Sequence, residues 1–233
     1  MAEGQTMGRI VHGKQIHTEL EELTAPGRAA VVVVDMQNDF CHPEGCGASK
    51  GRSHDDAWAI VPRLKSLLDS ARAVGVPVIY ALNTQREGAL YMSAAELARR
   101  AKKSGGDPLL WTIEGTWGHQ VVEPIAPQLG DFTVIKHRPS AFFQTDLDLI
   151  LRNLGIECLI VTGVGTSGCV ESTARDAQSH DYYVIIPEDT TASQKPEWYA
   201  AAMVIMKRLY HWIGPSSEIE SVWAASRQKR ASP

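Results

Sequence analysis

The chain has 233 residues, 44% hydrophobic and 21% charged, with a net charge of −4, as in a soluble globular protein of one sizeable or two small domains. It has no long basic run and no apolar stretch of membrane-span length, so we expect neither a nucleic-acid nor a membrane partner. The polar first thirteen residues lack the apolar core of a signal peptide, which predicts a cytoplasmic location.

The hydrophobic patterning divides the chain into an N-terminal extension, residues 1–28, and a single domain, residues 29–233. Continuous β-branched runs predict strands buried on both faces, and apolar residues three and four apart predict helices. The predicted strands are residues 29–34, 77–82, 131–135, 157–162 and 182–186, with a short sixth at 217–222. The predicted helices are residues 57–74, 93–103, 145–154, 170–180 and 196–212. This alternation predicts a parallel sheet with helices on both faces, an α/β fold.

The four cysteines are too few and too scattered for a disulfide framework. Cys41 and Cys46 flank a histidine, but one such pair is a weak zinc pattern, and a loop after the first strand is the favoured interpretation. Cys169 differs because a Gly-rich turn separates it from a buried strand and a helix follows it. As the first helical residue, it would lie at the positive end of the helix dipole, which favours a nucleophilic thiolate. A buried structural cysteine is the alternative.

Other polar residues also follow predicted strands. Asp35 follows the first strand, Asn83 the second and Lys136 the third. The carboxyl ends of parallel strands meet at one edge of a sheet, where α/β proteins place their chemistry. An acid, a lysine and a cysteine therefore converge there in the predicted fold.

Three stretches together resemble the isochorismatase-like cysteine hydrolase superfamily: VVDMQNDF at 33–40, Lys136, and GVGTSGCV at 163–170. The resemblance implies a three-layer αβα sandwich around a six-stranded, mostly parallel sheet. It implies a catalytic triad of Asp35, Lys136 and Cys169. It also implies a cis peptide bond between Val164 and Gly165, with the Gly165 and Cys169 N–H groups forming the oxyanion hole.

The branches of this superfamily differ in substrate and metal use. Nicotinamidases resemble the chain in the triad but add an Asp-x-His pair, and only His119 lies between Leu82 and Lys136, so we expect no metal and no cofactor. Isochorismatases cleave a vinyl ether, and some lack the cysteine. The stretch 166–170 resembles N-carbamoylsarcosine and maleamate amidases, whereas 115–122 and 138–147 resemble ureidoacrylate amidohydrolase.

We therefore expect a hydrolase of small ureido or carbamoyl amides, of the biuret, triuret or ureidoacrylate type, that releases ammonia or carbamate. A maleamate or N-carbamoylsarcosine amidase is the alternative, with an isochorismatase or a nicotinamidase less favoured. An esterase, or a binding protein without activity, also stays open. The resemblance further implies a homodimer or homotetramer, with the N-terminal extension and the helix at 196–212 as candidate contacts.

Six residues are candidates for substrate binding because they follow strands or lie in loops near the triad. Four of them have a plainer alternative: a turn-forming Asn, a core Phe, an interface Trp or a solvated Arg. Gln37 would either orient Asp35 or face outward. Arg138 would bind a substrate carboxylate. The candidates are Asn83, Gln37, Phe142, Trp117, Gln120 and Arg138.

Overall fold

The computed structural model describes residues 8–49, 54–104 and 110–231. The strands are β1 (Arg9–Val11), β2 (Lys14–Ile16), β3 (Ala29–Val34), β4 (Val78–Asn83), β5 (Phe132–Lys136), β6 (Cys158–Val164), β7 (Tyr183–Pro187), β8 (Thr191–Ala192) and β9 (Trp212–Gly214). The helices are α1 (Leu20–Leu23), α2 (Asn38–Cys41), α3 (Cys46–Ser49), α4 (Asp55–Ala59), α5 (Val61–Val74), α6 (Ala94–Ser104), α7 (Leu147–Asn153), α8 (Glu171–Ser179), α9 (Pro196–Leu209) and α10 (Ser216–Ala231). Short 3₁₀ turns lie at Glu87–Ala89, Trp117–His119, Glu123–Ile125 and Glu188–Thr190, and a π-helical turn spans Thr166–Val170.

The main sheet has seven strands in the order β5-β4-β3-β6-β7-β9, with the two-residue β8 paired to β6, and every pair is parallel. The central strands β3, β4 and β6 are buried along their whole length, as their continuous apolar runs predict. Because all strands run the same way, the residues that follow β3, β4, β5 and β6 lie at one edge of the sheet.

Helices cover both faces of the sheet, which confirms the three-layer αβα architecture. On one face, α5 and α10 pack Leu64, Leu68 and Trp223 against alternate residues of β3. On the other face, α7, α8 and α9 pack residues such as Leu151 and Met206 against the remaining β3 positions. Two hydrophobic cores therefore hold the sheet rigidly between them.

Two predicted elements differ from the observed ones near the C-terminus. The sixth strand predicted at 217–222 is wrong, because those residues lie in α10. Ile219 and Trp223, four residues apart, are both buried, which is a helical repeat. The sixth strand of the main order is instead β9. It begins at Trp212, which is the last residue of the helix predicted at 196–212. That helix, α9, ends at Leu209, and Tyr210 has an extended backbone.

The N-terminal extension forms the β1–β2 hairpin and α1. Leu23 of α1 is buried in the core, and the indole Nε1 of Trp223 donates a hydrogen bond to the carbonyl of Thr24. The end of the extension is therefore packed against α10 of the same chain.

Candidate active site

Asp35 follows β3 and has a left-handed backbone, with φ of 55°. This conformation is uncommon for a residue other than Gly, and it turns the chain out of the strand at once. The Asp35 Oδ1 atom accepts the backbone N–H of Asn83 at 3.0 Å, and Oδ2 accepts the Lys136 ammonium at 2.9 Å. Two different partners therefore fix the orientation of the carboxylate.

Lys136, the last residue of β5, is fully buried, and its Nζ also donates to the carbonyl of Arg138 at 3.2 Å. Burial alone lowers the pKa of a lysine, but the charge of Asp35 and the neighbouring Cys169 raise the pKa of Lys136 above its ordinary value. The side chain is therefore an ammonium ion at neutral pH, the buried partner of Asp35.

Cys169 is the fourth residue of the π-helical turn Thr166–Val170, which precedes α8. The expectation of a first helical residue is therefore wrong. Burial and the negative charge of Asp35 raise the pKa of the Cys169 thiol to about 12, while Lys136 acts in the opposite direction with a smaller effect. The expected resting thiolate is not supported: at neutral pH the site combines a thiol, a carboxylate and an ammonium ion.

The turn before Cys169 departs from the expected geometry in two respects. The peptide bonds of the described residues are all trans, including the one between Val164 and Gly165. The N–H of Gly165 donates to the carbonyl of Ala192 at 2.8 Å, so it is already engaged and is not directed at a substrate. Gly165 instead has a left-handed backbone, with φ of 80°, which starts the π-helical turn. The Cys169 N–H stays a predicted oxyanion donor.

The side chains of the residues after Asp35 form hydrogen bonds with the neighbouring loops. The Gln37 amide accepts the N–H of Asn83 and donates to the carbonyls of Asn83 and His119. The Asn38 side chain donates to the carbonyl of Trp117. The Asp39 carboxylate accepts the backbone N–H groups of Cys46 and Thr112. The run VVDMQNDF therefore builds the edge of the site as well as supplying its acid.

A cavity of about 610 Å³ opens beside Asp35 and Cys169. Asn83 also lines it. Thr112 Oγ1 and Gln85 Nε2 both donate to Asn83 Oδ1, at 3.1 and 3.4 Å. This leaves the Nδ2 donor of Asn83 available to a bound carbonyl. The other lining residues are Phe40, Ala57, Val164, Gly165, Ser167, Gly168, Glu171, Ala192, Ser193, Gln194, Trp198, Ala201, Ala202 and Ile205.

Five of the six predicted substrate-binding residues do not line this cavity. Gln37 is fully buried in the loop network. Phe142 packs in the core on the α7 and α8 side and stacks on His180. Trp117 contacts His42 edge-on. Gln120 is exposed, and its carbonyl accepts the Asn38 N–H. The Arg138 guanidinium donates to backbone carbonyls, including that of Tyr91.

The prediction missed the wall that α9 contributes. Trp198, Ala201, Ala202 and Ile205 recur at helical spacing and face the cavity. The signal was present in the sequence as an apolar stripe, but such a stripe is ordinarily core. The spacing of these residues does not show that α9 lies beside Cys169 and forms a wall of the same cavity.

Among residues 8–49, 54–104 and 110–231, no group of three His, Cys, Asp or Glu side chains is placed to hold a metal ion. Cys41, whose pKa burial raises, lies under Asp35 in the core, and Cys46 lies at the start of α3. In the same ranges, no helix has the length and apolarity needed to cross a membrane.

Comparison with known proteins gives consistent matches. A family model described as the isochorismatase domain matches residues 29–217. Ureidoacrylate amidohydrolase RutB of Caulobacter vibrioides is 31% identical over 209 residues, which cover 85% of this chain and 92% of that protein. A cysteine hydrolase from Pseudomonas syringae pv. phaseolicola 1448A has a TM-score of 0.73 at 27% identity, covering 86% of this chain and 94% of the other. N-carbamoylsarcosine amidase from Thermoplasma acidophilum has a TM-score of 0.65 at 29% identity, covering 81% and 96%.

These matches and the parallel αβα fold define the class of the protein: it is a hydrolase of the amidohydrolase type. The family model covers most of the chain, and the match to the Caulobacter vibrioides relative covers 92% of that protein's length. The chain belongs to the isochorismatase family.

Proposed function

We propose that the protein is a cysteine-dependent amidohydrolase that cleaves a carbon–nitrogen bond of a small ureido or carbamoyl amide. The observation that carries this proposal is the Asp35 carboxylate, held at 2.9 Å by Lys136 and lining the same cavity as Cys169. A thiol beside an oriented carboxylate is a nucleophile with its general base.

In the first half of the reaction, Asp35 takes the proton of the Cys169 thiol as the sulfur attacks the amide carbonyl carbon. A carbon–sulfur bond forms, and the carbonyl oxygen becomes an oxyanion that accepts the Cys169 N–H. As the oxyanion collapses, the carbon–nitrogen bond breaks. Asp35 returns its proton to the leaving nitrogen, and ammonia or an amine departs.

In the second half, Asp35 takes a proton from water, whose oxygen attacks the thioester carbon. The carbon–sulfur bond breaks, and the proton returns to the sulfur of Cys169. Acyl groups leave as carboxylic acids, and a carbamoyl group leaves as carbamate, which decomposes to ammonia and carbon dioxide. Throughout, the Lys136 ammonium holds Asp35 in place and stabilises negative charge on the sulfur.

The names of the relatives support a ureido or carbamoyl substrate. The Caulobacter vibrioides relative is a ureidoacrylate amidohydrolase, and the Thermoplasma acidophilum structure is an N-carbamoylsarcosine amidase. Both names describe compounds that contain a urea-type carbonyl. The Nδ2 donor of Asn83 at the cavity wall is suited to such a carbonyl oxygen. A homodimer or homotetramer and a cytoplasmic location stay predictions.

The test is ammonia release from ureidoacrylate, biuret, triuret, N-carbamoylsarcosine, maleamate and nicotinamide. Turnover of a ureido compound by the native protein, and its loss in Cys169→Ala, is the expected result. Cys46→Ala is the matched control and retains activity. Mass spectrometry of the rapidly quenched reaction detects the acyl group on Cys169. Turnover that survives Cys169→Ala contradicts the proposal.

A further inference from the structure

The charged residues that line the cavity in the described ranges are acidic, and each is paired with a cation outside the lining: Lys136 is 2.9 Å from Asp35 and Arg175 is 2.6 Å from Glu171. Asp35 and Glu171 are its acidic lining residues, and no lysine or arginine of the described ranges lines it. A substrate carboxylate is ordinarily bound by an Arg or Lys side chain that reaches it. A bound carboxylate would lose hydration here without gaining a cationic partner among the lining residues that the structure describes.

Two arginines near the cavity also contact carboxylates. Arg175 contacts Glu171 at 2.6 Å. Arg99, whose charge interacts with Cys169, makes two hydrogen bonds to Glu96, at 2.6 and 2.8 Å. The Arg175 charge is therefore largely balanced by Glu171. Arg99, in contrast, shares the Glu96 carboxylate with Arg100, which lies 2.7 Å from it. None of these three arginines lines the cavity.

Lys195 lies at the start of α9, and its ammonium is 4.0 Å from a Glu197 carboxylate oxygen and 5.0 Å from the centre of the Trp198 ring. This side chain is more than half exposed, so water screens its charge. It does not line the cavity.

The cavity has an apolar wall where a carboxylate site would need polar groups. Trp198, Ala201 and Ile205 of α9 form one side, and Phe40 and Ala57 supply further apolar surface. Trp198 and Ile205 are 45% and 44% exposed, so a ligand can cover apolar surface that now faces solvent. The wall suits a hydrocarbon substituent.

We propose that this site selects an uncharged amide with an apolar substituent, which packs on the α9 wall, and that it discriminates against amides that carry a carboxylate. The inference rests on the proposed function, because it describes the substrate of the same site. Specificity arises from burial of the apolar group and from the cost of desolvating a carboxylate that no lysine or arginine among the described lining residues can pair. The site therefore differs from one built for a ureido acid.

The test compares substrates of matched shape, because an isopropyl group has nearly the shape of a carboxylate. One pair is 3-ureidopropionate and isopentylurea, and the other is succinamate and 4-methylpentanamide. Ammonia release gives kcat/KM for each. Protection of Cys169 from iodoacetamide at mildly alkaline pH gives the affinity of each compound without requiring turnover. We expect the neutral member of each pair to be favoured about tenfold or more in kcat/KM and in affinity, a difference of about 1.4 kcal/mol.

Two variants separate the sources of this selectivity. Glu171→Gln removes a negative charge and leaves Arg175 without its partner, so the preference for the neutral member narrows. Trp198→Ala lowers kcat/KM and affinity for the neutral member of each pair and leaves those for the anionic member unchanged. Asp176→Asn, which removes a charge from the same helix outside the cavity, leaves the preference unchanged.

Failure of this inference differs from failure of the proposed function. Faster turnover or tighter binding of the anionic members overturns the inference and leaves an amidohydrolase. Selective protection by the neutral members without hydrolysis of any amide supports the inference and contradicts the proposed function. No protection by either neutral member overturns the inference.

Discussion

Protonation of Cys169 determines how the site starts its reaction. With a thiol pKa of about 12, set by burial and Asp35, the resting protein holds almost no thiolate at neutral pH. Attack on a carbonyl therefore requires Asp35 to remove the proton during the reaction. This separates the site from cysteine sites in which a low pKa supplies a standing thiolate.

The raised pKa predicts the pH dependence of Cys169 alkylation by iodoacetamide. Far below its pKa, a thiol gains about tenfold in thiolate fraction for each unit of pH. We expect the alkylation rate to rise from about pH 7 to about pH 10 without reaching a plateau, measured by intact mass with Cys169→Ser as the blank. A plateau below about pH 8 would show a resting thiolate and contradict the raised pKa.

Asp39 illustrates how a residue outside the triad supports it. Its carboxylate accepts the N–H groups of Cys46 and Thr112, and a side-chain carbon added at Gly118 would lie 2.3 Å from it. Three loop segments therefore meet on one carboxylate, which holds the loop that carries Thr112 against Asn83.

Asp39→Ala is expected to lower the free energy of unfolding by about 3–6 kcal/mol, because hydrogen bonds to a charged acceptor are worth about 1.5–3 kcal/mol each and two are lost. Urea denaturation measures the change. Asp56→Ala, on an exposed part of α4, is the control and changes stability little. Equal stability of the two variants would mean that the loops hold without Asp39.

At the scale of elements, strands were predictable where burial on both faces left an unbroken apolar run. The strand prediction at 29–34 is confirmed residue for residue, and four other strands lie within one or two residues of their predicted ends. The stretch at 217–222 was not predictable in this way, because its few apolar residues fit a strand as well as a helix. Packing of Trp223 against α5 and α1 decides for the helix.

Some residues of the candidate site could likewise be predicted from the sequence, and others could not. Asp35, Asn83, Lys136 and Cys169 could be placed from sequence because each follows a strand or its turn, and topology brings strand ends together. Phe142 and Arg138 also follow a strand end, but the loop after β5 turns away toward α7 and Tyr91. Loop direction depends on hydrogen bonds between distant residues, which a single sequence does not reveal.

The contact between β6 and β3 depends on Gly163. Its φ is +109°, and a Cβ there would lie 2.1 Å from the carbonyl oxygen of Val34. Gly163→Ala is expected to lower the free energy of unfolding by about 3 kcal/mol or more, because steric overlap adds to the backbone cost of about 1–2 kcal/mol. The ends of both strands carry site residues, so activity falls as well.

Gly130→Ala is the matched control for this prediction. Gly130 has a similar φ of +98°, but nothing lies within 4 Å of its added Cβ. Its variant carries the backbone cost alone. Thermal and urea unfolding of the two variants separate the overlap from the backbone effect. Equal losses would show that the strands move apart to admit the methyl group.

For the whole molecule, the end of the N-terminal extension joins the hydrophobic core. Leu23 is 1% exposed and belongs to the cluster that includes Trp223. The Trp223 Nε1 donor has its partner, the Thr24 carbonyl, in the extension. The family model begins at residue 29, after these contacts. The predicted boundary between extension and domain therefore divides a packed unit.

Two truncations test whether the domain folds with full stability from residue 29. A chain that begins at Thr18 keeps α1 and its contacts with α10, and we expect nearly native stability. A chain that begins at Ala29 exposes the Leu23 site, worth about 1.5–3 kcal/mol, and leaves the Trp223 indole without its acceptor, at about 1–3 kcal/mol. Urea denaturation should therefore place its free energy of unfolding about 3 kcal/mol or more below that of the longer chain. Equal free energies of unfolding would show that the contacts between α1 and α10 add no stability to the domain from residue 29 onward.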